Sequence, residues 1–197
     1  VQAVVHLAGL ADSTASWEAV EAANVTSTYE IVNAAKWYGI ERLVLASSVW
    51  AMRARWLTDA VVEAGPAAPG DHPYGRSKAA AEAAAARGVL AGGLSTVVLR
   101  IGGRAPGDGR PHQLDDWEDT CWLGWQDFLR GVDCALDAAV EGVAVVNLVS
   151  DNPVPRWSLD EARDLIGYVP QERYEPAPKL GRLTSLKWRL AQRLRRA

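Results

Sequence analysis

Cysteine is nearly absent: Cys121 and Cys134 are the only two, and neither has C-x-x-C or other zinc-type spacing. That excludes a disulfide framework and argues against a thiolate metal centre. Both read as reduced residues of a cytoplasmic protein. No apolar run approaches the ~20 residues of a membrane span. No charged segment followed by an apolar stretch marks a secretory signal. Acidic residues are missing from one end. From Lys179 onward there are seven basic side chains and no acidic one, while the remainder holds 14 basic against 24 acidic. A basic body of the kind that binds nucleic acid is therefore absent.

What remains is an ordinary globular composition. Hydrophobic residues make up 49% of 197, enough for one domain with a substantial core. Val1 to Gly9 is short, β-branched and apolar on both faces, as a strand buried from both sides would be. Trp17 to Tyr38 carries apolar residues at helical spacing and stops at Gly39. Leu43 to Ser48 is a second buried strand ending in two hydroxyls. A polar, proline-containing loop leads to His72-Pro73, and Tyr74 to Arg87 is an alanine-rich helix broken by Gly92-Gly93. Thr96 to Ile101 is a third strand. Gly102 to Gly124 reads as loop, Trp125 to Val140 as helix and Val143 to Leu148 as strand. Ser158 to Ile166 is a short helix that Ser158 would cap with Glu161. The alternation predicts an α/β fold with a parallel sheet.

Tyr74 and Lys78 are four residues apart in that alanine-rich helix, so they share one face. A phenol is a poor base at neutral pH. A neighbouring ammonium favours the phenolate and is expected to lower its pKa. Such a pair can move a hydroxyl proton while a cofactor takes the hydride. In an open parallel sheet, ligands sit beyond the carboxyl ends of the strands. Ala8-Gly9, Ser47-Ser48 and Arg100-Ile101-Gly102-Gly103 fall at such ends, and the Tyr74 helix follows the loop that leaves Ser48.

These residues, in this order, resemble the extended short-chain dehydrogenase/reductases of the NAD-dependent epimerase/dehydratase type. Val5-His6-Leu7-Ala8-Gly9 looks like the family's fourth strand. Asn24-Val25-Thr26-Ser27-Thr28 with Asn33-Ala34-Ala35 is similar to its N-x-x-G-T…A-A helix, with Ser27 in place of the glycine. Leu43 to Ser48 matches the strand ending in the catalytic serine, and Tyr74-Gly75-Arg76-Ser77-Lys78 with Glu82 the motif Y-G-x-S-K…E. Uronate dehydrogenases look nearest, on Ala46-Ser47-Ser48, Leu99-Arg100-Ile101-Gly102 and Trp122-Leu123-x-x-x-Asp127-Phe128.

The resemblance implies an NAD(P)-dependent oxidoreductase acting on a sugar or sugar-acid hydroxyl or lactol, with NAD favoured over NADP. Tyr74 would be the general base, Lys78 its electrostatic partner and the holder of the nicotinamide ribose, and Ser48 the hydrogen-bond partner of the reacting oxygen. Ala8, Gly9 and Asn24, with Tyr74 and Lys78, would form the cofactor side. Two positions depart from the uronate pattern: Trp117 stands where an arginine would take the substrate carboxylate, and Val49 where an asparagine follows the serine. An epimerase or dehydratase of nucleotide sugars is the alternative within the class.

Other side chains carry plainer expectations. Ser47 reads as a turn residue, Arg100 as a structural strand-end residue, His6 as core and His72 as part of a turn. The acidic run Asp115, Asp116, Glu118 and Asp119 reads as a solvated loop face rather than a cation site. Trp117, Trp122 and Trp125 cluster in the loop that, by the resemblance, would cover substrate, where packing is their expected role ahead of stacking on a sugar. Leu183, Leu186, Leu190 and Leu194 make the tail from Leu180 to Ala197 a basic amphipathic helix, able to touch a membrane surface but not expected to.

No G-x-x-G-x-x-G turn for a pyrophosphate occurs anywhere in the chain. By the resemblance, the chain starts at the family's fourth strand and lacks the first three βα units. The expectation is thus a partial Rossmann-like domain over 1–170, with a small substrate-side region toward its C-terminal end and a basic tail over 171–197. The first strand would be a bare sheet edge. This leads to an expected homodimer through that edge or a shortened form of a longer protein, with poor dinucleotide binding by the chain alone. A non-catalytic remnant, or a subunit dependent on a partner, is the reading from another class.

Overall fold

The computed structural model describes residues 1–56, 58–90, 92–103 and 118–173. Four parallel strands form one sheet in the order β1-β2-β3-β4: β1 Ala3–His6, β2 Arg42–Ser48, β3 Ser95–Ile101 and β4 Val143–Leu148. Parallel neighbours need crossovers. The first comprises α1 (Trp17–Val20), a π-helical stretch (Glu21–Thr26) and α2 (Ser27–Trp37). The second holds a 3₁₀ turn (Val49–Met52), α3 (Arg53–Trp56) and α4 (Pro73–Leu90). The third includes α5 (Glu118–Cys121) and α6 (Trp125–Asp137). After β4 comes α7 (Asp160–Ile166).

Side-chain alternation sorts the strands between two apolar layers. Leu43, Leu45 and Val98 pack with Val32, Ala35 and Ala85 of α2 and α4. Val44, Val97, Leu99, Val146 and Leu148 pack with Phe128, Ala135, Ala162 and Ile166 of α6 and α7. Both faces of β2 and β3 are therefore covered, which is why these strands read as continuous apolar runs. A third cluster of Val49, Met52, Trp56, Val62, Val149 and Trp157 fills the space under the loops that follow β2 and β4. Among the described residues β1 pairs only with β2 and lies at the sheet edge, and Val5 and the following Leu7 are exposed.

Several local expectations change. The segment Trp17 to Tyr38 is helical throughout, but a π turn interrupts it. Ser27 Oγ donates to the Ala23 carbonyl at 2.5 Å and Thr28 Oγ1 to that of Asn24 at 2.6 Å. Hydroxyls bonding back to the preceding turn loosen a helix there, and apolar periodicity does not register them. The loop after Ser48 holds two short helical turns, the first capped by Ser48 itself. The helix placed at Ser158 starts at Asp160. Ser158 Oγ accepts the Asp160 N–H at 3.2 Å, two residues on rather than three, so it makes a tight turn ahead of the helix. Trp117, Asp115, Asp116 and the tail from Leu180 lie outside the described residues.

Residues 171–173 are fastened to the body. The fully buried Asp127 carboxylate accepts the backbone N–H groups of Gln171 and Glu172 at 2.8 and 2.9 Å and the Ser150 hydroxyl at 2.7 Å. Glu172 returns a bond, its Oε2 accepting the Asp127 N–H at 2.8 Å. This clamp ties the start of α6 to the ends of β4 and of the described chain. Removing the carboxylate strands several buried donors, each costly to desolvate. Asp127→Ala should therefore lower unfolding stability in urea by about 3 kcal/mol. The exposed Asp160→Ala should stay within about 0.5 kcal/mol of wild type. Equal effects at the two positions would show that the clamp carries no stability.

Candidate functional site

The carboxyl ends of β1, β2 and β3 open onto one cleft of about 490 Å³. Leu7, Gly9, Ala11 and Ser13 line one side, Ser48, Val49 and Trp50 the floor, Tyr74 and Lys78 another wall, and Ile101 to Gly103 the last. Parallel register produces this grouping. His6 pairs with Leu45, and Ser48 with Ile101, so the strands end side by side. The helix α4 then returns over the sheet and presents Tyr74 and Lys78 on its inward face, both buried.

Ser48 serves two neighbours. Its hydroxyl oxygen accepts the Trp50 N–H at 3.3 Å, capping the 3₁₀ turn, and the hydroxyl also lies close enough to the Tyr74 phenol to favour its ionised form. Gly75 lets that turn approach α4. A Cβ there would stand 2.6 Å from the Trp50 carbonyl oxygen. Lys78 Nζ donates to the Ala46 carbonyl at 3.0 Å and lies 5.9 Å from the centre of the Tyr74 ring. Tyr74, Lys78 and Ser48 are thus brought together.

Electrostatics differ from expectation in one respect. Lys78 was expected to pull the phenol pKa down. Burial dominates instead and raises the Tyr74 pKa, with the Ser48 hydroxyl as the opposing influence. Burial also pushes Lys78 down from 10.5 to about 8, against the pull of Glu82. His6 is lowered by burial and then by the Lys78 charge, so this core residue also faces the centre. His72 is lowered by burial and by Arg53, with the Ser13 backbone opposing. Both imidazoles are therefore neutral near pH 7.

The cofactor-side residues separate into two groups. Gly9 lines the cleft where a Cβ would stand 3.6 Å from Lys78 Nζ and 2.6 Å from Asn24 Oδ1, so its bareness keeps the passage open. Ala8 is exposed beside it. Asn24 does not line the cleft. Its Oδ1 accepts the Leu10 N–H at 2.8 Å, while Nδ2 donates to the Leu10 carbonyl and to Ser77 Oγ. Ser77 Oγ in turn donates to the Tyr74 carbonyl. The π turn that carries Asn24 therefore clamps the loop after β1 to the helix of Tyr74 and Lys78. Pi-bulges of this kind are frequent at functional sites.

Trp50 is the cleft residue that sequence reasoning missed. Its ring packs 4.5 Å from His72, 5.1 Å from Trp56 and 6.0 Å from Tyr74, with the Arg53 guanidinium 5.8 Å away. The available signal was its place two residues after Ser48, within the capped turn. Gly102 and Gly103 match no phosphate motif; Gly102 instead permits the Cys121 backbone to approach, and Gly103 bridges to Trp122. Among the described residues no cluster of metal-ligating side chains occurs.

A sequence profile described as the NAD dependent epimerase/dehydratase family matches residues 1–112, more than half the chain. The chain belongs to that family. It is 30% identical to the NAD-dependent glucose-6-phosphate dehydrogenase of Haloferax volcanii, over 87% of this chain and 69% of that protein. It is 32% identical to the L-arabinose 1-dehydrogenase (NAD(P)(+)) of the same organism, over 86% and 74%. Among solved structures, a mutated uronate dehydrogenase superposes with a TM-score of 0.73 at 28% identity, covering 88% of this chain and 60% of that one. The sheet is accordingly Rossmann-like. These relatives are dehydrogenases of sugars and sugar acids, and the chain spans between 60% and 74% of their lengths.

The nicotinamide end of such a cofactor fits the residues present. Gly9 leaves room beside the Lys78 ammonium, and Ser48 and Tyr74 put two hydroxyls on the same cleft. No glycine-rich turn for the pyrophosphate exists in the sequence.

Lys78 should also leave a mark on stability. Its folded pKa lies below its ordinary value, so between pH 8 and 10.5 the unfolded chain binds more protons. The burial penalty is therefore full below about 8 and fades as pH rises toward 10.5. Lys78→Met should be more stable than wild type in urea at neutral pH, with the advantage shrinking through that alkaline window. A variant less stable by the same amount at both ends would contradict a buried charge.

Proposed function

We propose that this chain carries the proton-transfer centre of an NAD(P)-dependent dehydrogenase that oxidises a sugar hydroxyl or lactol, with NAD the favoured cofactor. The observation that supports it best is the joint placement of Tyr74, Lys78 and Ser48 on one cleft at the strands' carboxyl ends. The bound nicotinamide would supply hydride acceptance. Lys78, Tyr74 and Gly9 would hold its ribose end.

The chain's own part is to place and deprotonate the hydroxyl. Ser48 Oγ orients the reacting oxygen toward Tyr74, and Tyr74 Oη takes its proton as the C–H bond yields its hydride. The Lys78 ammonium favours the phenolate at that moment. Burial of Tyr74 works the other way, so the phenol is a better proton holder than base until substrate and cofactor complete the cleft. With Val49 buried, the accessible part of the Val49 and Trp50 floor is the Trp50 ring, an aromatic surface suited to the C–H face of a sugar ring rather than to a carboxylate. This supports a neutral sugar ahead of a uronate.

The test is NADH formation by the purified chain with NAD and a panel of aldoses, aldose phosphates and uronates. Wild type should turn over at least one, with neutral aldoses preferred, and Tyr74→Phe should lower kcat by about a thousandfold, within the usual contribution of a general base. A wild-type chain inactive with the whole panel at saturating cofactor would overturn the reading. Retained turnover in Tyr74→Phe would remove Tyr74 from the chemistry.

A further inference from the structure

One buried ionic group lies beside the centre and takes no part in the proton transfer. Glu82 stands one helical turn beyond Lys78 on α4 and is buried. Its carboxylate accepts the Ser47 hydroxyl at 2.5 Å and two bonds from Arg100, Nε at 3.0 Å and Nη2 at 2.8 Å. Arg100, 1% exposed, sends its remaining Nη1 to the Gly65 carbonyl at 2.8 Å. Ser47 precedes Ser48, and Arg100 precedes Ile101 on the cleft wall. The two-point guanidinium contact fixes geometry as well as charge. A buried pair of this kind adds little net stability compared with apolar residues of the same volume. Its placement therefore calls for another explanation.

We propose that Glu82 is a positioning residue of the reaction centre. Its carboxylate ties the strand ends that carry Ser48 and Ile101 to the helix that carries Tyr74 and Lys78, and its negative charge holds the buried Lys78 ammonium in its protonated form. The proposal rests on the reading of Tyr74, Lys78 and Ser48 as that centre.

The charges around Lys78 come from three elements. His6 faces it from β1 as a neutral imidazole, Tyr74 and Glu82 share α4 with it, and Arg100 approaches from β3 on the far side of Glu82. Glu82 is thus the anion that opposes burial at Lys78. It opposes it without an ion pair to Lys78, whose Nζ is bonded to the Ala46 carbonyl. The ammonium remains available to a ligand while its charge is sustained from one turn away.

Loosening and loss of charge move Lys78 in opposite directions. If Glu82 only braces the fold, its loss admits water and the Lys78 titration midpoint rises toward that of an ordinary lysine. If its charge sustains the ammonium, the midpoint falls. The experiment follows the Lys78 13Cε chemical shift against pH in the purified chain, assigned by its absence in Lys78→Met. Glu82→Gln should lower the midpoint by about one pH unit, and Glu82→Asp should restore most of it. A midpoint unchanged or raised in Glu82→Gln overturns the proposal. Should Glu82→Gln fail to fold, Glu82→Met, which keeps the side chain's length and the Arg100 cation but removes the anion, takes its place, and a lowered midpoint is again required. The titration needs no turnover. An inactive chain with a lowered midpoint would sink the proposed function and leave this inference standing. An active chain with an unmoved midpoint would do the reverse.

Discussion

The cleft depends on the burial of one ammonium. Lys78 sits in the wall between α4 and the ends of β1 and β2, with a single backbone carbonyl as its hydrogen-bond partner. A cation so placed is costly, and most of the polar bonds nearby limit that cost or hold its surroundings in place. Glu82 supplies the opposing charge. Asn24 locks the loop after β1 onto Ser77, beside Lys78 on the same helix. Gly9 keeps the space before the ammonium open. A buried charge of this kind costs stability locally, and on the proposed reading that cost keeps the ammonium aimed into the cleft, a trade common at functional sites.

The sheet makes this affordable because its interior is covered on both faces. β2 and β3 are sealed between α2 and α4 on one side and α6 and α7 on the other. The third apolar cluster, around Met52, Trp56 and Trp157, supports the floor formed by Val49 and Trp50. The Asp127 clamp fastens the segment after β4 from below. Ser48, Tyr74 and Lys78 therefore stand at a strand end and on one helix rather than on loops alone. β1 is the exception. It is the edge strand among the described residues, and Val5, with Leu7 just beyond its end, meets solvent.

Much of this was legible in the sequence. Strand apolarity, glycine stops and the four-residue spacing of Tyr74 and Lys78 depend on local periodicity, and local periodicity survives folding. Ser48 was legible because it closes an apolar run ahead of that helix. Other features depend on contacts between distant segments. Nothing near Glu82 in the chain announces Arg100 or Ser47 as its partners, nor does anything near Asp127 announce Glu172. The π turn was hidden because Ser27 and Thr28 act on backbone carbonyls, not on the apolar stripe. The phenol of Tyr74 was misjudged for a related reason. The charge of Lys78 is visible in the sequence, whereas the depth at which both groups lie is not.

On the proposed reading, the chain would hold the nicotinamide end of a dinucleotide site without a glycine-rich motif for its pyrophosphate. Saturation-transfer NMR with NADH tests both halves in one spectrum. Nicotinamide and adjoining ribose protons should receive saturation from the protein, adenine protons much less, and Lys78→Met should abolish the difference. Equal saturation of the adenine protons, or a pattern unchanged in Lys78→Met, would contradict the account.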